Sequence, residues 1–475
     1  MRILSSTLIV LLLTSCSFGN KKQFENDLNK HFENIKTDAD ALQSFFTLMP
    51  KGGDIHHHAS GTPYAEEYIL LALRDSCYIN PHDYQLYANK KEAAHDNDAL
   101  LINALLQQNP NYKDSIIDNW SVRNHKAHNK DGREQFFSTF SKFKAAFVGN
   151  EALLLSAICK RAAKDNIAYI ESMIRVPNIQ DSVAQFADKQ AWIDDTRALH
   201  LKLDDYYQYF INKDMDKWAQ AYADSIDSYH GRTDKHGVAL KFQTYGVRVS
   251  SNQAKIFGHL ILAFEAAALS DQLVGVNFVA PEDNINALRN YKTHMAMFRY
   301  LSDKYPNVKI ALHAGELVLG KGDTQAEDLT YHINDALKTA RASRIGHGVD
   351  LKSENDYLGI LDFMKENNCA IEINLESNAV ILETTAHNHP VGEYLKHGIP
   401  VCIATDDEGV LRTNLINQYM MLVSYVPDIK YTQVKEIVFN TIGYSFLDET
   451  EKKDLLEQLE KEFQEFEHQT LTSRS

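Results

Sequence analysis

Residues 49–61 read MPKGGDIHHHASG, and the fold and function of the chain can be interpreted outward from this stretch. Residues 54–56 have the pattern of a short strand that begins after two glycines. Because side chains alternate along a strand, we expect His56 and His58 on one face, about 7 Å apart, and His57 on the other. Two neutral imidazoles on one face can bind a single metal ion. An isolated histidine triplet is equally compatible with a polar loop that binds nothing.

The composition describes a globular, acidic protein. The chain has 475 residues, of which 44% are hydrophobic and 24% charged, and its formal net charge is −15 at pH 7. This length can bury a large core in one big domain or in several smaller ones. Nucleic acids and anionic membrane surfaces attract basic surfaces, so the charge argues against both as partners.

The first residues have the pattern of an export signal. A positively charged start precedes an apolar run over residues 8–13, which is too short to span a membrane as a mature helix. Residues 13–16 read LTSC and resemble a bacterial lipobox, which implies a signal peptide over 1–15 and lipidation of Cys16. Residues 16–36 would then be a tether, and the protein would be a periplasmic or outer-membrane lipoprotein of the bacterial cell envelope. It would contact the membrane only through the lipid; an ordinary cleaved signal is the alternative.

Four further cysteines are scattered along the chain: Cys77, Cys159, Cys369 and Cys402. They form no CxxC pair and none of the spacings typical of a zinc ribbon or a disulfide framework. Cys369 and Cys402 lie in apolar strand-like runs, and we expect them in the core. A bridge between Cys77 and Cys159 is compatible with an exported protein, but no feature of the sequence requires it.

Short apolar runs followed by long helical stretches recur along residues 37–475, which no linker divides. The runs lie near residue 55 and at 167–174, 238–249, 273–280, 308–313, 344–348, 369–375 and 399–405. Apolar strands that alternate with helices predict a parallel sheet covered on both faces, and eight such strands predict an α/β fold, the (β/α)8 barrel of TIM type. Residues 63–135 and 176–235 exceed what a barrel needs. They are predicted to form a helical insertion after the first strand and a helical extension after the second.

Metal-binding or titratable side chains occur where four of these strands end. The first strand carries His56 and His58, and later strands end in HAGE at 313–316, GHG at 346–348 and TDD at 405–407. A single histidine at a strand end is usually satisfied within a core. In a TIM-type barrel, however, the active site lies at the carboxyl ends of the strands, so four such ends favour one common site.

The motifs HxH, HAGE, GHG and TDD, in this order, resemble the adenosine deaminase family of metal-dependent hydrolases. The resemblance covers roughly residues 47–62 and 135–466 and extends to His389-Pro390 and Asn440. The long insertion and the sequence FFSTFSKF at 136–143 resemble the secreted, growth-factor-type branch of the family. The lipobox is similar to that of bacterial lipoprotein relatives of this branch.

The resemblance implies one zinc ion per subunit, held by four residues: His56, His58, His313 and Asp406. Three imidazoles and a carboxylate suit Zn²⁺, although iron or manganese would also fit them. Zinc lowers the pKa of water to about 7, which makes hydroxide available at neutral pH. His347 would orient or deprotonate this water.

The expected reaction is hydrolytic deamination of adenosine or deoxyadenosine to inosine or deoxyinosine and ammonia. Glu316 would donate a proton to N1 of the purine as hydroxide attacks C6, which requires a raised carboxyl pKa. Asp407 would face the purine N7. The alternative for Glu316 and Asp407 is that they only support the metal site.

We expect three departures from the family pattern to lie on the substrate side of the site and not at the metal. Ser60 stands where the family commonly has Asp, so the contact with the sugar depends on a hydroxyl. Ala280 stands where a Gly often contacts the purine through its backbone, and Glu408 replaces a Pro. Aromatic residues of the insertion are candidates for a lid over the purine, or else pack the insertion on the barrel: Trp120 first, then Phe136, Phe137 and Phe140.

Other functions remain open from the sequence. The nearest is an aminohydrolase for adenine or another 6-aminopurine derivative; a non-catalytic nucleoside-binding lipoprotein is more distant. A binuclear amidohydrolase normally needs a carboxylated Lys on the fourth strand, and residues 273–280 contain none. The H-x-E…P-C-x-x-C signature of zinc nucleobase deaminases is absent from the sequence. The expected partner is a purine nucleoside, and a homodimer is compatible with the pattern.

Overall fold

The computed structural model describes residues 22–179 and 196–472, and within these ranges its strands are numbered in chain order. They are Gly53–His58 (β1), Tyr78–Ile79 (β2), Leu86–Tyr87 (β3), Leu100–Leu101 (β4), Tyr169–Arg175 (β5), Ala239–Val247 (β6), Leu273–Val279 (β7), Lys309–Ala314 (β8), Arg344–His347 (β9), Ala370–Ile373 (β10) and Val401–Ile403 (β11).

The helices of the described residues are numbered in the same way. They are 22–35 (α1), Ala39–Leu48 (α2), Ala65–Arg74 (α3), Ile102–Gln108 (α4), Tyr112–Asn119 (α5), Gly132–Phe147 (α6), Glu151–Lys164 (α7), Thr196–Ile211 (α8), Met215–Arg232 (α9), Gln253–Ala267 (α10), Ile285–Arg289 (α11), Tyr291–Lys304 (α12), His332–Lys338 (α13), Tyr357–Glu366 (α14), Leu375–Ile381 (α15), Val391–Lys396 (α16), Glu408–Leu411 (α17), Leu415–Tyr425 (α18), Tyr431–Gly443 (α19) and Glu449–Thr472 (α20).

Eight of the described strands form one parallel sheet in the order β1-β5-β6-β7-β8-β9-β10-β11. Its two ends meet: the backbone N–H of His58 donates to the carbonyl of Asp406 (2.9 Å), and the N–H of Asp406 donates to that of His56 (2.9 Å). Beside them, the hydroxyl of Thr405 donates to the Asp54 carboxylate (2.5 Å). The sheet therefore closes on itself, and the predicted (β/α)8 barrel is confirmed.

The insertion after β1 forms its own apolar cluster, separate from the barrel core. It contains the predicted helices, α3 to α6, together with a small antiparallel sheet in the order β3-β2-β4 that the prediction did not include. Two-residue strands have too few positions to show an alternating pattern. α6 continues the insertion past its predicted end at residue 135, because Phe136 and Phe143 belong to the insertion's cluster.

The predicted tether over residues 16–36 is wrong for 22–35, which form α1. Leu28 and Phe32 are buried, and the Phe32 ring lies 5.5 Å from the ring of Phe45 between centroids. The apolar spacing along this segment follows a helical face that packs on the barrel core. The signal peptide over 1–15 and the lipidation site Cys16 lie outside the described residues. No helix within the described ranges has both the length and the apolar content needed to cross a membrane.

The extension over 176–235 contains α8 and α9; residues 180–195 lie outside the described part of the chain. All four described cysteines are buried free thiols. Cys159, Cys369 and Cys402 belong to the barrel core and Cys77 to the insertion cluster, so the bridge between Cys77 and Cys159 does not form.

Candidate active site and metal centre

The four residues expected to bind zinc converge at the carboxyl ends of their strands. His58 Nε2 lies 3.0 Å from Asp406 Oδ1 and 3.3 Å from His313 Nε2, and His56 Nε2 lies 3.5 Å from the same Asp406 oxygen. Ligands at zinc's usual bond lengths in a tetrahedron are about 3.3–3.6 Å apart. His56 Nε2 is buried without a hydrogen-bond partner in the part of the chain that the structure describes. These residues therefore fit a tetrahedral zinc ion.

Each of three candidate ligands is fixed by a further polar residue. His56 Nδ1 donates to Glu372 Oε2 (2.6 Å), and His313 Nδ1 donates to the amide oxygen of Asn277 (2.9 Å). The hydroxyl of Ser377 donates to Asp406 Oδ2 (2.7 Å). Such contacts leave Nε2 of each imidazole for the metal and fix the direction of the ring. The sequence interpretation did not assign a role to any of these supporting residues.

A buried polar network in the barrel interior connects two of the ligand histidines. The network begins at Asn277, the partner of His313. The Asn277 amide donates to Gln243 (2.9 Å), and the Gln243 amide donates to Glu171 (2.8 Å). Arg344 then forms ion pairs with Glu171 and with Glu372 (2.6 Å), which is the partner of the other histidine. All five side chains are at most 1% exposed. In the sequence, only Asn277 and Glu372 stand out, each as the one polar residue of an otherwise apolar strand.

His347 lies beside this cluster. Its ring centroid is 4.9 Å from that of His56 and 5.2 Å from that of His313. One His347 nitrogen lies within 4.8 Å of ligand atoms of His56, His313 and Asp406, which makes it a further candidate ligand on distance alone. Burial lowers the His347 pKa to about 3, so the ring is neutral at physiological pH.

Glu316 is buried in the loop that follows β8. Burial, with the nearby charge of Asp406, raises the pKa of its carboxyl well above the ordinary value. Glu282 stabilises this loop. Its carboxylate accepts the backbone N–H groups of Gly315 (3.2 Å) and Glu316 (3.0 Å) and also contacts His332 Nδ1 (2.5 Å). The surroundings of Glu316 therefore favour the protonated form of its carboxyl.

Asp407 directly follows the candidate ligand Asp406 and is also buried. Its Oδ1 atom has no hydrogen-bond partner among the described residues, and burial raises its pKa. Gly61 packs directly on this carboxylate: a Cβ at Gly61 would lie 1.5 Å from Asp407 Oδ1. The turn after β1 therefore requires glycine to admit Asp407 to the site.

A cavity of about 830 Å³ opens onto these groups. Its walls include most of the residues that the sequence interpretation assigned to the site: His58, Ser60, Phe136, Phe137, Phe140, Ala280, His313, Glu316, His347, Asp406 and Asp407. His56 lies behind them, fully buried. The cavity thus has an apolar wall from α6 and a polar end at the metal-type cluster.

Trp120 is not among the described residues that line the cavity, so the prediction that it covers the purine is wrong. The indole is 1% exposed and donates its N–H to the carbonyl of Tyr84 (2.9 Å). Its ring packs edge-on against Phe143 at 6.3 Å between centroids. A large aromatic side chain with its one donor satisfied is stable in the insertion's core.

Glu408 also lies away from the cavity, contrary to the expectation that its replacement of Pro affects the substrate side. Its carboxylate pairs with Arg161 (3.3 Å) and accepts the hydroxyl of Tyr64 (3.2 Å). Arg161 in turn pairs with Glu67 of α3 (2.6 Å). Glu408 therefore connects the loop after β11 to the insertion.

Three non-glycine residues at the strand ends have a left-handed backbone: Ala280 (φ 80°), His347 (φ 70°) and Asp406 (φ 61°). Such conformations cost energy for residues with a Cβ and are frequent at functional sites. The positive φ of Ala280 explains why a glycine often stands at this position in the adenosine deaminase family.

About half of the chain matches a known protein family. The family model of adenosine deaminase matches residues 235–462, which include the ends of β8, β9 and β11 but not β1. The adenosine deaminase of Enterococcus faecalis is 30% identical over 161 residues, which are 33% of this chain. The match spans 42% of that relative's own length.

Two solved structures share the fold over most of both chains. The N6-methyl-AMP deaminase of Arabidopsis thaliana has a TM-score of 0.56 at 14% identity, covering 88% of this chain and 98% of its own. An amidohydrolase of Burkholderia ambifaria, solved with bound zinc, has a TM-score of 0.54 at 13% identity, with coverage of 90% and 94%. The match over residues 235–462 and the strand-end motifs gathered at one cavity support the adenosine deaminase family, and the two solved structures show the shared barrel fold.

Proposed function

We propose that the protein is a zinc-dependent aminohydrolase that converts adenosine or deoxyadenosine and water to inosine or deoxyinosine and ammonia. The observation that carries the proposal is a buried carboxyl, Glu316, whose pKa is raised by burial and which lines the same cavity as His58, His313 and Asp406. Deamination of an aminopurine needs both an activated water and an acid for the ring nitrogen.

The residues of the chain have distinct tasks in this reaction. When bound by His56, His58, His313 and Asp406, zinc supplies the acidity that makes water a nucleophile at neutral pH. Glu316 donates its proton to N1 of the purine, which makes C6 electrophilic. The phenyl rings of α6 form an apolar wall for the base and exclude water from it.

A second substrate class is another 6-aminopurine derivative, either adenine or a larger nucleotide-like molecule. Two observations favour it: Ser60 offers a hydroxyl where the family commonly has a carboxylate, and the cavity of about 830 Å³ also has the exposed cations Lys144 and Arg175 on its wall. One of the fold neighbours is a deaminase of N6-methyl-AMP.

We also propose that Cys16 anchors the protein to the bacterial envelope through lipid. The support is the lipobox pattern of residues 13–16. Expression of the full chain in a bacterial host should give a membrane-associated, lipid-labelled protein, and a Cys16→Ser variant should lose the label. Equal labelling of both would contradict the anchor.

The function is tested with a soluble form that begins after Cys16, loaded with zinc. Absorbance changes and ammonia release are followed with adenosine, deoxyadenosine, AMP and adenine, and with a Glu316→Gln variant as a matched control. We expect turnover of the nucleosides by the native protein and none by the variant, although the variant still binds zinc. Preferential turnover of AMP or adenine would support the second class, and no ammonia from any substrate would contradict the proposal.

A further inference from the structure

We propose that Asn378 and His389 are positioning residues that fix His347 in the tautomer with its proton on Nε2. His347 then serves as a hydrogen-bond donor to the oxygen of the nucleophile, not as the base that deprotonates it. The inference rests on the proposed function and deepens it, since the sequence left open whether His347 orients or deprotonates water. Three successive hydrogen bonds carry the argument.

The first hydrogen bond fixes the tautomer of His389. The backbone N–H of Val391 donates to His389 Nδ1 (3.1 Å). A backbone N–H group only donates, so Nδ1 must be the acceptor and has no proton. Burial lowers the pKa of His389 to about 3, so the ring is neutral and its single proton is on Nε2.

The second hydrogen bond fixes the orientation of the Asn378 amide. His389 Nε2 lies 3.1 Å from Asn378 Oδ1. Because Nε2 carries the proton, it donates and the amide oxygen accepts. The amide nitrogen of Asn378 must then face the opposite direction, which is the usual way in which an amide orientation is assigned.

The third hydrogen bond passes this orientation to His347. The Asn378 amide nitrogen lies 2.8 Å from His347 Nδ1. An amide nitrogen only donates, so His347 Nδ1 accepts and the proton of the neutral ring is on Nε2. The Glu316 carboxyl oxygen is 3.7 Å from His347 Nδ1, too far to compete for this nitrogen.

Because Nδ1 is hydrogen-bonded to Asn378, Nε2 is the His347 nitrogen that remains for the reaction centre. His347 Nε2 is buried and has no hydrogen-bond partner among residues 22–179 and 196–472. A buried N–H group without an acceptor is unfavourable, so this position calls for an oxygen atom from outside the protein. The nucleophile that the proposed reaction needs would supply it. A ring nitrogen that already carries a proton cannot accept another.

The test reads the tautomer directly by NMR of ¹⁵N-histidine-labelled protein, with and without zinc. Long-range ¹H–¹⁵N correlations distinguish a protonated Nε2 from a protonated Nδ1. We expect His347 to have its proton on Nε2 in the native protein, even without metal. In an Asn378→Asp variant studied at pH 8, the carboxylate offers only acceptors, so the His347 proton should move to Nδ1. The expected loss in kcat is about 10- to 100-fold with little change in KM.

The matched control is Asn388→Asp, since Asn388 is an exposed amide next to His389 and should leave the tautomer and kcat unchanged. If Asn378→Asp does not fold, His389→Gln replaces it, and loss of the first two bonds should give a mixture of His347 tautomers. A native His347 protonated on Nδ1, or an unchanged tautomer in the folded variants, would overturn the inference. The predicted tautomer without turnover of any aminopurine would instead contradict the proposed function alone.

Discussion

Replacing Glu372 by Gln should weaken zinc binding although Glu372 is not a ligand. Its carboxylate accepts the Nδ1 proton of His56 (2.6 Å) and forms an ion pair with Arg344 (2.6 Å), and all three side chains are buried. Glutamine has nearly the same shape but only one acceptor oxygen, so its NH₂ group must face one of the two donors. His56 either loses its acceptor or keeps a neutral one, and becomes a weaker ligand.

The expected magnitude follows from these contacts. Loss of the group that orients a metal-ligating histidine typically lowers metal affinity 10- to 100-fold, which is about 1.4–2.8 kcal/mol. Removing one partner of a buried ion pair costs about 3–5 kcal/mol in stability. Arg344 retains its second ion pair, with Glu171, so we expect a smaller loss of stability in Glu372→Gln.

Zinc affinity is measured by competition with a chromophoric chelator, and stability by urea unfolding of the metal-free protein. The matched control is Glu171→Gln, because Glu171 pairs with the same Arg344 but contacts no candidate ligand. It should lower the free energy of unfolding and reduce zinc affinity much less than Glu372→Gln does, because its effect on the ligand histidines is indirect. Native-like zinc affinity in Glu372→Gln, or an equal loss of affinity in both variants, would refute the reasoning.

Three further predictions follow from the geometry of the cavity. Deamination should decline as the pH rises through the raised pKa of Glu316, because only the protonated acid donates; a pH–rate profile without an alkaline decline would contradict this role. Ala280→Gly should stabilise the fold by about 0.5–1 kcal/mol in urea unfolding, since relief of a left-handed alanine (about 1–2 kcal/mol) exceeds the added chain entropy of glycine. Phe137→Ala should raise KM, because Phe137 lines the cavity. Trp120→Phe should leave KM unchanged and lower the free energy of unfolding by about 1 kcal/mol, because it loses only the hydrogen bond to Tyr84. An altered KM in Trp120→Phe alone would contradict this assignment.

The barrel was predictable because its signal is repeated and local. Apolar runs such as 273–280 alternate with helical stretches, and a parallel sheet buried on both faces requires this composition. A common site could be predicted because metal-type residues lie at the ends of four strands, and the fold places all strand ends at one face. The choice of four ligands among these residues came from the resemblance to the adenosine deaminase family.

Features that depend on distant contacts were missed. Glu372 and Asn277 each appear in the sequence as one polar residue in an apolar strand, and only the closed barrel shows that they bond to histidines of other strands. Residues 22–35 were interpreted as a tether because their surface positions are polar, although Leu28 and Phe32 face the core. Trp120 was assigned to a lid over the cavity because aromatic residues of the insertion have that role in the secreted branch that the sequence resembles, whereas its hydrogen bond to Tyr84 places it elsewhere.

The most direct test of metal-dependent deamination is a zinc titration of the metal-stripped protein with adenosine present. Ammonia release should be negligible without metal and should rise linearly until one zinc ion is bound per chain, then remain constant. The same titration of a His58→Ala variant should show no such rise, because one of the four ligands is missing. Full ammonia release by the metal-stripped chain, or by the variant, would contradict the account.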